Sequence, residues 1–415
     1  MSRFSTEIFI ARKIGLSPAG DGRRSPAVGI AIGGVALAVA VMLITLAVVC
    51  GFQNAIRQKV MGFEASMALH PLGQYYAGES EVIELSPILS DVIAKAAPGA
   101  KVAPVITQPV VLKTPDSFAG VVLSGFGEGH DFTFENNNIL EGAMPSEKNE
   151  IAVSALTAHK LGIAVGDKLD GCFFIDGNMK LRRLVVSGIF SSNFSDYDRS
   201  TAYARYDMLA SLRGLQPGFA DRIDIAGIPL DLIPQASQIF QKEAAPLVDA
   251  GAINGGGLYL TTVFDTGATY FSWLDLLDTN VIVILVIMSI ISGFTLVSCV
   301  FILILQRIRM IGLLKSLGAT DRAIRTIFML HGGKVILWGM IIGNAVGLLL
   351  ILLQGWLHIV PLDPSAYFLS YVPVMLTWKA ALLVNVGALL LGFLLMLIPA
   401  SLISGISPSR AMRYE

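Results

Sequence analysis

Four uncharged apolar stretches, the first two separated by about 225 mostly polar residues, restrict the possible folds of this chain more than any other feature. A bilayer core about 30 Å thick takes roughly 20 apolar residues as a helix. Pro26–Cys50, Val281–Leu305, Val335–Leu353 and Ala380–Ile403 each run for at least 18 residues without a charge, so each is expected to span. A mean hydropathy of +0.67 with 15% charged residues agrees with that. The first stretch is too long for the apolar region of a signal peptide and reads as an uncleaved span. The expected fold is a membrane protein of four transmembrane α-helices, with a large α+β extracytoplasmic domain inserted between helices 1 and 2.

Lys and Arg flank the stretches unevenly. Arg3, Arg12, Lys13, Arg23 and Arg24 precede the first. Arg307, Arg309, Lys315, Arg322 and Arg325 stand between the second and third, and Arg410 and Arg413 follow the fourth. The connection Gln354–Leu376 carries one charge, Asp363. The positive-inside rule therefore places both termini and residues 306–325 in the cytoplasm. The expected segments are a cytoplasmic stretch 1–25 with an amphipathic helix over 3–14, spans 26–50, 277–305, 326–353 and 377–404, an outer domain 51–276, a cytoplasmic helix 306–325, an outer loop 354–376 and a tail 405–415. A net charge of −1 without runs of one sign argues against nucleic-acid binding. Cys50 and Cys299 lie in spans and Cys172 is alone in the outer domain, so that domain must rest on its own core rather than on disulfides.

Within the outer domain, β-like runs at Lys101–Val105, Val110–Lys113, Gly120–Ser124 and Leu184–Ile189 alternate with turn residues, and 172–190 reads as a hairpin turning near Asp176–Gly177. Ser154–Leu161 and Pro234–Leu247 read as helices, the second with Ile239 and Phe240 turned inward. In the spans, Gly29 and Gly33, then Gly339, Gly343 and Gly347, recur every fourth residue, a spacing that lets helix backbones approach in lipid. Asn344 and Asn385 lie deep enough to hydrogen-bond between helices. No catalytic constellation is found. Gly332-Gly333-Lys334-Val335 lacks the spacing and hydroxyl of a phosphate-binding loop, and there is neither a His-Glu-x-x-His nor a Cys-x-x-Cys pattern. Asp196 with Asp198, and Asp221 with Asp224, read as solvated turn acids. No metal or cofactor is expected on this chain.

The most specific stretch is QRIRMIGLLKSLGATDRAIRTIFMLHG, Gln306–Gly332. Ile308, Ile311, Leu314 and Leu317 are spaced as one apolar helical face. Gly318 is suited to end that helix, Thr320 to cap the next, and Asp321 to complement its dipole. Such a helix suits a groove on a cytoplasmic partner.

Ile311–Thr320 resembles the coupling-helix motif of the LolC/LolE lipoprotein-releasing ABC-transporter permeases, within the FtsX/MacB-like permease superfamily. Phe9–Lys13, Gly51–Phe63 and Glu141–Leu169 are similar to recurring segments of that superfamily. Pro361–Val374 and Ile406–Glu415 are similar to the LolC/LolE branch in particular. The resemblance implies a bacterial inner-membrane permease subunit without its own ATPase motif. Its implied partners are a cytoplasmic ABC ATPase dimer that uses ATP and Mg, a second permease (identical or not), a lipoprotein substrate and a periplasmic lipoprotein carrier. Ile308, Ile311, Gly312, Leu313, Leu314, Lys315, Leu317 and Gly318 would couple to the ATPase. Met42, Leu46, Ile287 and Phe294, chosen by depth in the spans, would line the lipid cavity. Motion of the ATPase would reach the outer domain by mechanotransmission. Two departures stand out. Met310 replaces the acid usual before Ile-Gly, and Cys172–Arg183 is a tight hairpin where carrier-docking members have an extended loop. Mechanical signalling to a cell-wall hydrolase and export of a drug or peptide, both known in the superfamily, stay open as alternatives.

Overall fold

The computed structural model describes residues 26–72, 82–175, 177–216, 218–253 and 257–402. The amphipathic helix expected over 3–14, the tail 405–415 and the turn residue Asp176 lie outside these. In chain order the helices are α1 (Pro26–Phe63), α2 (Pro87–Ala96), α3 (Thr133–Asn138), α4 (Ala155–Leu161), α5 (Ser195–Ser200), α6 (Tyr206–Arg213), α7 (Ile233–Asp249), α8 (Val263–Thr266), α9 (Ala268–Gln306), α10 (Ile308–Ser316), α11 (Asp321–Leu357), α12 (Pro364–Tyr367) and α13 (Trp378–Leu402). The strands are β1 (Met67–Pro71), β2 (Ile83–Glu84), β3 (Lys101–Lys113), β4 (Phe118–Phe126), β5 (Ile139–Gly142), β6 (Glu150–Ser154), β7 (Lys168–Ile175), β8 (Asn178–Phe190), β9 (Thr201–Ala204), β10 (Phe219–Ala220), β11 (Arg222–Ala226) and β12 (Leu258–Thr262). The chain forms two compact units. One takes residues up to Ala55, Trp273–Pro361 and those from Tyr371 onward, and the other takes Ile56–Ser272 and Leu362–Ser370.

In the membrane unit, α1, α9, α11 and α13 are long and apolar enough to cross a bilayer. Two of them overrun the expected spans. α1 continues to Phe63 rather than stopping at 50, and α9 starts at Ala268 rather than 277. Side chains pair these overruns. Phe52 meets Trp273 edge-on at 5.4 Å, and Gln53 Nε2 donates to Asp278 Oδ1 at 2.8 Å. The glycines on α11 sit where α1 comes closest. A Cβ on Gly339 would lie 2.6 Å from Val35 Cβ, one on Gly343 2.6 Å from the Ala36 carbonyl oxygen, and one on Gly347 3.3 Å from Ala40 Cα. Gly29 and Gly33, expected to serve the same purpose, are exposed and have nothing within 4 Å. The apolar inward side of α1 is instead Val28, Ala31, Val35, Ala38, Val39 and Met42, one turn-face away. Asn344 on α11 and Asn385 on α13 donate to each other's amide oxygens at 2.7 and 2.9 Å, which satisfies both polar ends inside the spans.

In the outer unit, β3 pairs with β4, β4 with β9, β9 with β6, β6 with β8, β8 with β7, and β7 again with β3. The pairing therefore closes into a six-stranded ring of mixed direction with no free sheet edge along that path. Its interior is filled by alternate residues of these strands, among them Ile106, Val110, Leu123, Val153, Phe173, Leu184 and Val186, together with Leu161 of α4 and Met208 of α6. α4 starts where Ser154 Oγ accepts from Thr157 N and stops at Gly162, whose φ is +64°. A wing of β11, β1 and β12 extends from the first residues of β3, and α2 and α7 lie packed together in the same unit. Phe240 of α7 is buried, whereas Ile239 is half-buried.

The two runs Lys101–Val105 and Val110–Lys113 are one continuous strand, although Pro104 and Pro109 lie within it. One flank pairs with β4 throughout 105–113. The other pairs with β11 over 101–105 and with β7 over 110–113. Pro109 falls in the gap between those partners, where its missing N–H costs that flank no ladder bond.

The acids read as solvated are mostly not. Asp198, Asp221 and Asp224 are buried, because each organises a local turn or binds an arginine. Asp221 takes both contacts from Arg213 Nη1 at 2.6 and 2.7 Å, and Asp224 is held by Arg222 at 2.8 and 3.2 Å. The Asp198 carboxylate accepts from Ser192 Oγ at 2.6 Å, Ser192 N at 3.1 Å and Ser191 Oγ at 3.3 Å.

Two outcomes are expected. Gly343→Ala places a methyl against the α1 backbone, and overpacking of this kind costs about 1–3 kcal/mol. The detergent-solubilised chain should melt earlier than wild type, while Gly33→Ala should melt unchanged; equal midpoints would refute the contact. Burial raises the Asp198 carboxyl above its ordinary 3.8, and burial, opposed by Arg222, raises that of Glu64 above 4.5. The folded chain thus keeps protons that the unfolded chain releases. Their contribution is present below the ordinary values and is lost as pH rises through the raised ones. Melting midpoints followed upward from about pH 4 should fall less steeply in Asp198→Asn than in wild type.

Candidate functional site

The segment between α9 and α11 is the part of the membrane unit whose shape is most specific. α9 ends at Gln306, Arg307 departs from helical geometry with φ −112°, and α10 follows at once. Two residues after α10 stands Gly318, whose φ of +91° lies in the left-handed region that favours glycine; Ala319 N then reaches back to Leu314 O at 2.9 Å. Thr320 caps α11 by accepting from Ala323 N. Lys315 Nζ lies 2.8 Å from Asp321 Oδ1 and its side chain is mostly covered, so an ion pair joins the end of α10 to the first residue of α11.

The face expected to dock is divided. Ile311 is fully buried, in the same apolar cluster as Leu303, Ile304, Ile324 and Phe328, and Leu314 packs against that cluster. Gly312 is buried too, and Ile308 is half-buried. Leu313, by contrast, is 56% exposed and Leu317 77% exposed. With Arg309 they recur every fourth residue, so Arg309, Leu313 and Leu317 form the outward stripe of α10. Apolar residues occupy both sides of this short helix, and their spacing alone does not say which side its own bundle covers. The positions that stay available to a partner are Leu313, Leu317 and Gly318.

The four residues expected around a lipid cavity do not share one surface. Met42 is only 5% exposed and belongs to the apolar cluster of the bundle, and Leu46 packs on that cluster. Ile287 and Phe294, on α9, are 47% and 70% exposed. Equal depth in a span does not fix the rotation of a helix about its axis, so residues at one depth need not face one surface. Among the described residues, no three His, Cys, Asp or Glu side chains come together as a metal site.

A MacB-like periplasmic core domain matches residues 28–268, and an FtsX-like permease C-terminal domain matches residues 282–408. Together with four spans, an α+β domain between the first two and a helix bridging the second and third, they define an ABC-transporter permease subunit of the FtsX/MacB type. Within that class the chain belongs to the LolC/LolE-type permeases. It is 22% identical to the lipoprotein-releasing system transmembrane protein LolC of Neisseria meningitidis, over 99% of this chain and 100% of that one. It is 23% identical to LolC of Xylella fastidiosa over 92% of each. LolE of Haemophilus influenzae matches a shorter part, 26% identical over 34% of this chain and 35% of that one. Among solved structures, the periplasmic region of MacB from Actinobacillus actinomycetemcomitans is 13% identical, with a TM-score of 0.34 over 53% of this chain and 97% of that one.

Proposed function

We propose that the chain is a permease subunit of an ATP-driven complex that extracts lipoproteins from the inner membrane for transfer towards the outer membrane. The observation that carries the ATPase coupling is the division of α10. Its outward side chains Leu313 and Leu317 are exposed, while Ile311, Leu314 and the Lys315–Asp321 pair fix its other side to the bundle. In this reading Leu313 and Leu317 enter a groove on a cytoplasmic ATPase that binds ATP and Mg. A rotation imposed on α10 then passes into α11, because close-packed interiors transmit displacement rather than absorb it. Both termini face the cytoplasm, and a second permease completes the complex.

The likeness to the LolC relatives along nearly the whole chain supports lipoproteins as cargo. So does the energetics of the task. Each buried acyl CH₂ is worth about 0.8 kcal/mol, so two or three chains hold a lipoprotein in the membrane against any passive release. The exposed apolar side chains of α9, Ile287 and Phe294, are where such chains would lie first. A periplasmic carrier would meet a β7–β8 hairpin whose strands are joined by two residues, with Ile175 opposite Asn178.

The test is purification of the complex from native membranes, with mass spectrometry of what accompanies it. An ABC ATPase and acylated lipoproteins are expected in stoichiometric amounts. Leu313→Asp with Leu317→Asp should lose the ATPase while the chain stays folded, since both side chains are already exposed. Unchanged association would refute the docking assignment, and a wall hydrolase in place of lipoprotein would refute the cargo.

A further inference from the structure

Residues 362–370 leave the membrane unit between α11 and α13 and belong to the outer unit. A small set of contacts inside the outer unit holds them. Lys59, near the end of α1, is half-buried and donates from Nζ to two backbone carbonyls, that of Phe368 at 3.0 Å and that of Ser192 at 3.1 Å. Phe368 stacks on the fully buried Phe194, with centroids 4.6 Å apart and planes 8° apart. Tyr270 meets both rings edge-on, at 5.9 and 5.2 Å, and Phe63 meets Phe194 at 5.0 Å.

Three observations set this apart from ordinary packing. First, an ammonium group is spent on two carbonyls that lie 176 positions apart in the chain (192 and 368), and charge-assisted bonds of this kind are directional and stronger than neutral ones. Second, Phe368 has φ +60°, a left-handed conformation that a bulky residue holds only where its surroundings over-determine it. Third, the acceptor side is itself built. Asp198 binds Ser191 and Ser192, and Ser192 Oγ accepts from Phe194 N at 3.1 Å, which aims the Ser192 carbonyl and the Phe194 ring from one rigid loop.

We propose that Lys59 and Phe368 form a tie that holds the 362–370 segment to the outer unit, and that Lys59 is a positioning residue for the transmission step. This inference rests on the function proposed above. The segment is covalently continuous with Pro361 and Tyr371 of the membrane unit, so whatever holds it also fixes how displacement of α11 and α13 is delivered. An ammonium has three rotatable donors and can release one carbonyl while keeping the other.

The test uses the full-length chain with Lys59→Met, which keeps the apolar stem, and Lys59→Arg, which keeps the donors. In the purified chain, amide hydrogen exchange over 362–370 should rise about tenfold in Lys59→Met, the change that about 1.4 kcal/mol of lost closing free energy produces. Exchange in β3 and β4 should not change, and Lys59→Arg should restore most of the protection. Unaltered exchange over 362–370 would overturn the tie. In the complete complex, Lys59→Met should release less cargo per ATP hydrolysed while the ATPase rate holds. Parallel loss of both would reduce Lys59 to a merely structural role and overturn its part in transmission. A wild-type complex that releases no lipoprotein would count against the proposed function alone, since hydrogen exchange judges the tie independently.

Discussion

The membrane unit depends on the approach of α11 to α1 at Gly339, Gly343 and Gly347. Lipid gives no hydrophobic reason for two apolar helices to meet, so contact distance decides whether they hold. Without side chains at these positions, α11 reaches the backbone of α1 at Ala36 and Ala40. The same helix carries its polar anchor one residue after Gly343, where Asn344 pairs with Asn385 of α13. Further along, Met396 of α13 occupies the space that a Gly332 side chain would need. α11 thus engages α1 through glycines and α13 through an amide pair and a glycine.

α11 also begins beside α10. Its first residue, Asp321, holds Lys315, and Ile324 and Phe328 share a cluster with Ile311. One helix therefore gathers α1, α10 and α13. The outer segment that follows it, 362–370, is the one secured by Lys59 and Phe368. The proposed docking site is accordingly not a pocket but the exposed side of a short helix.

Much of this was legible in the sequence, for definite reasons. Four uncharged apolar stretches of spanning length have few folded solutions, and the alternation of β-like runs with turn residues and two helical segments marked the inserted domain as α+β. Gly318, Thr320 and Asp321 marked the α10–α11 junction because helix ends have local chemistry. What could not be read depended on partners distant in the chain. Gly29 and Gly33 have the same spacing as Gly339 and Gly343, but only the second pair meets another backbone. Ile311 and Leu317 share a face by count, yet neighbouring helices cover one and not the other. Asp198 and Asp221 sit in turn-rich sequence, and nothing nearby announces that serines and an arginine will enclose them. Lys59 gave no signal, since its acceptors are main-chain carbonyls and carry no residue type.

β3 belongs at once to the closed ring and to the wing, with Pro109 at the point where one flank changes partners. Ring and wing are therefore not two bodies joined by a linker. They share the backbone of β3, which pairs with β11 up to Val105 and with β4 from Val105 onward. The consequence is topological: a substitution that breaks β3 near Val105 would cost the ring and the wing together.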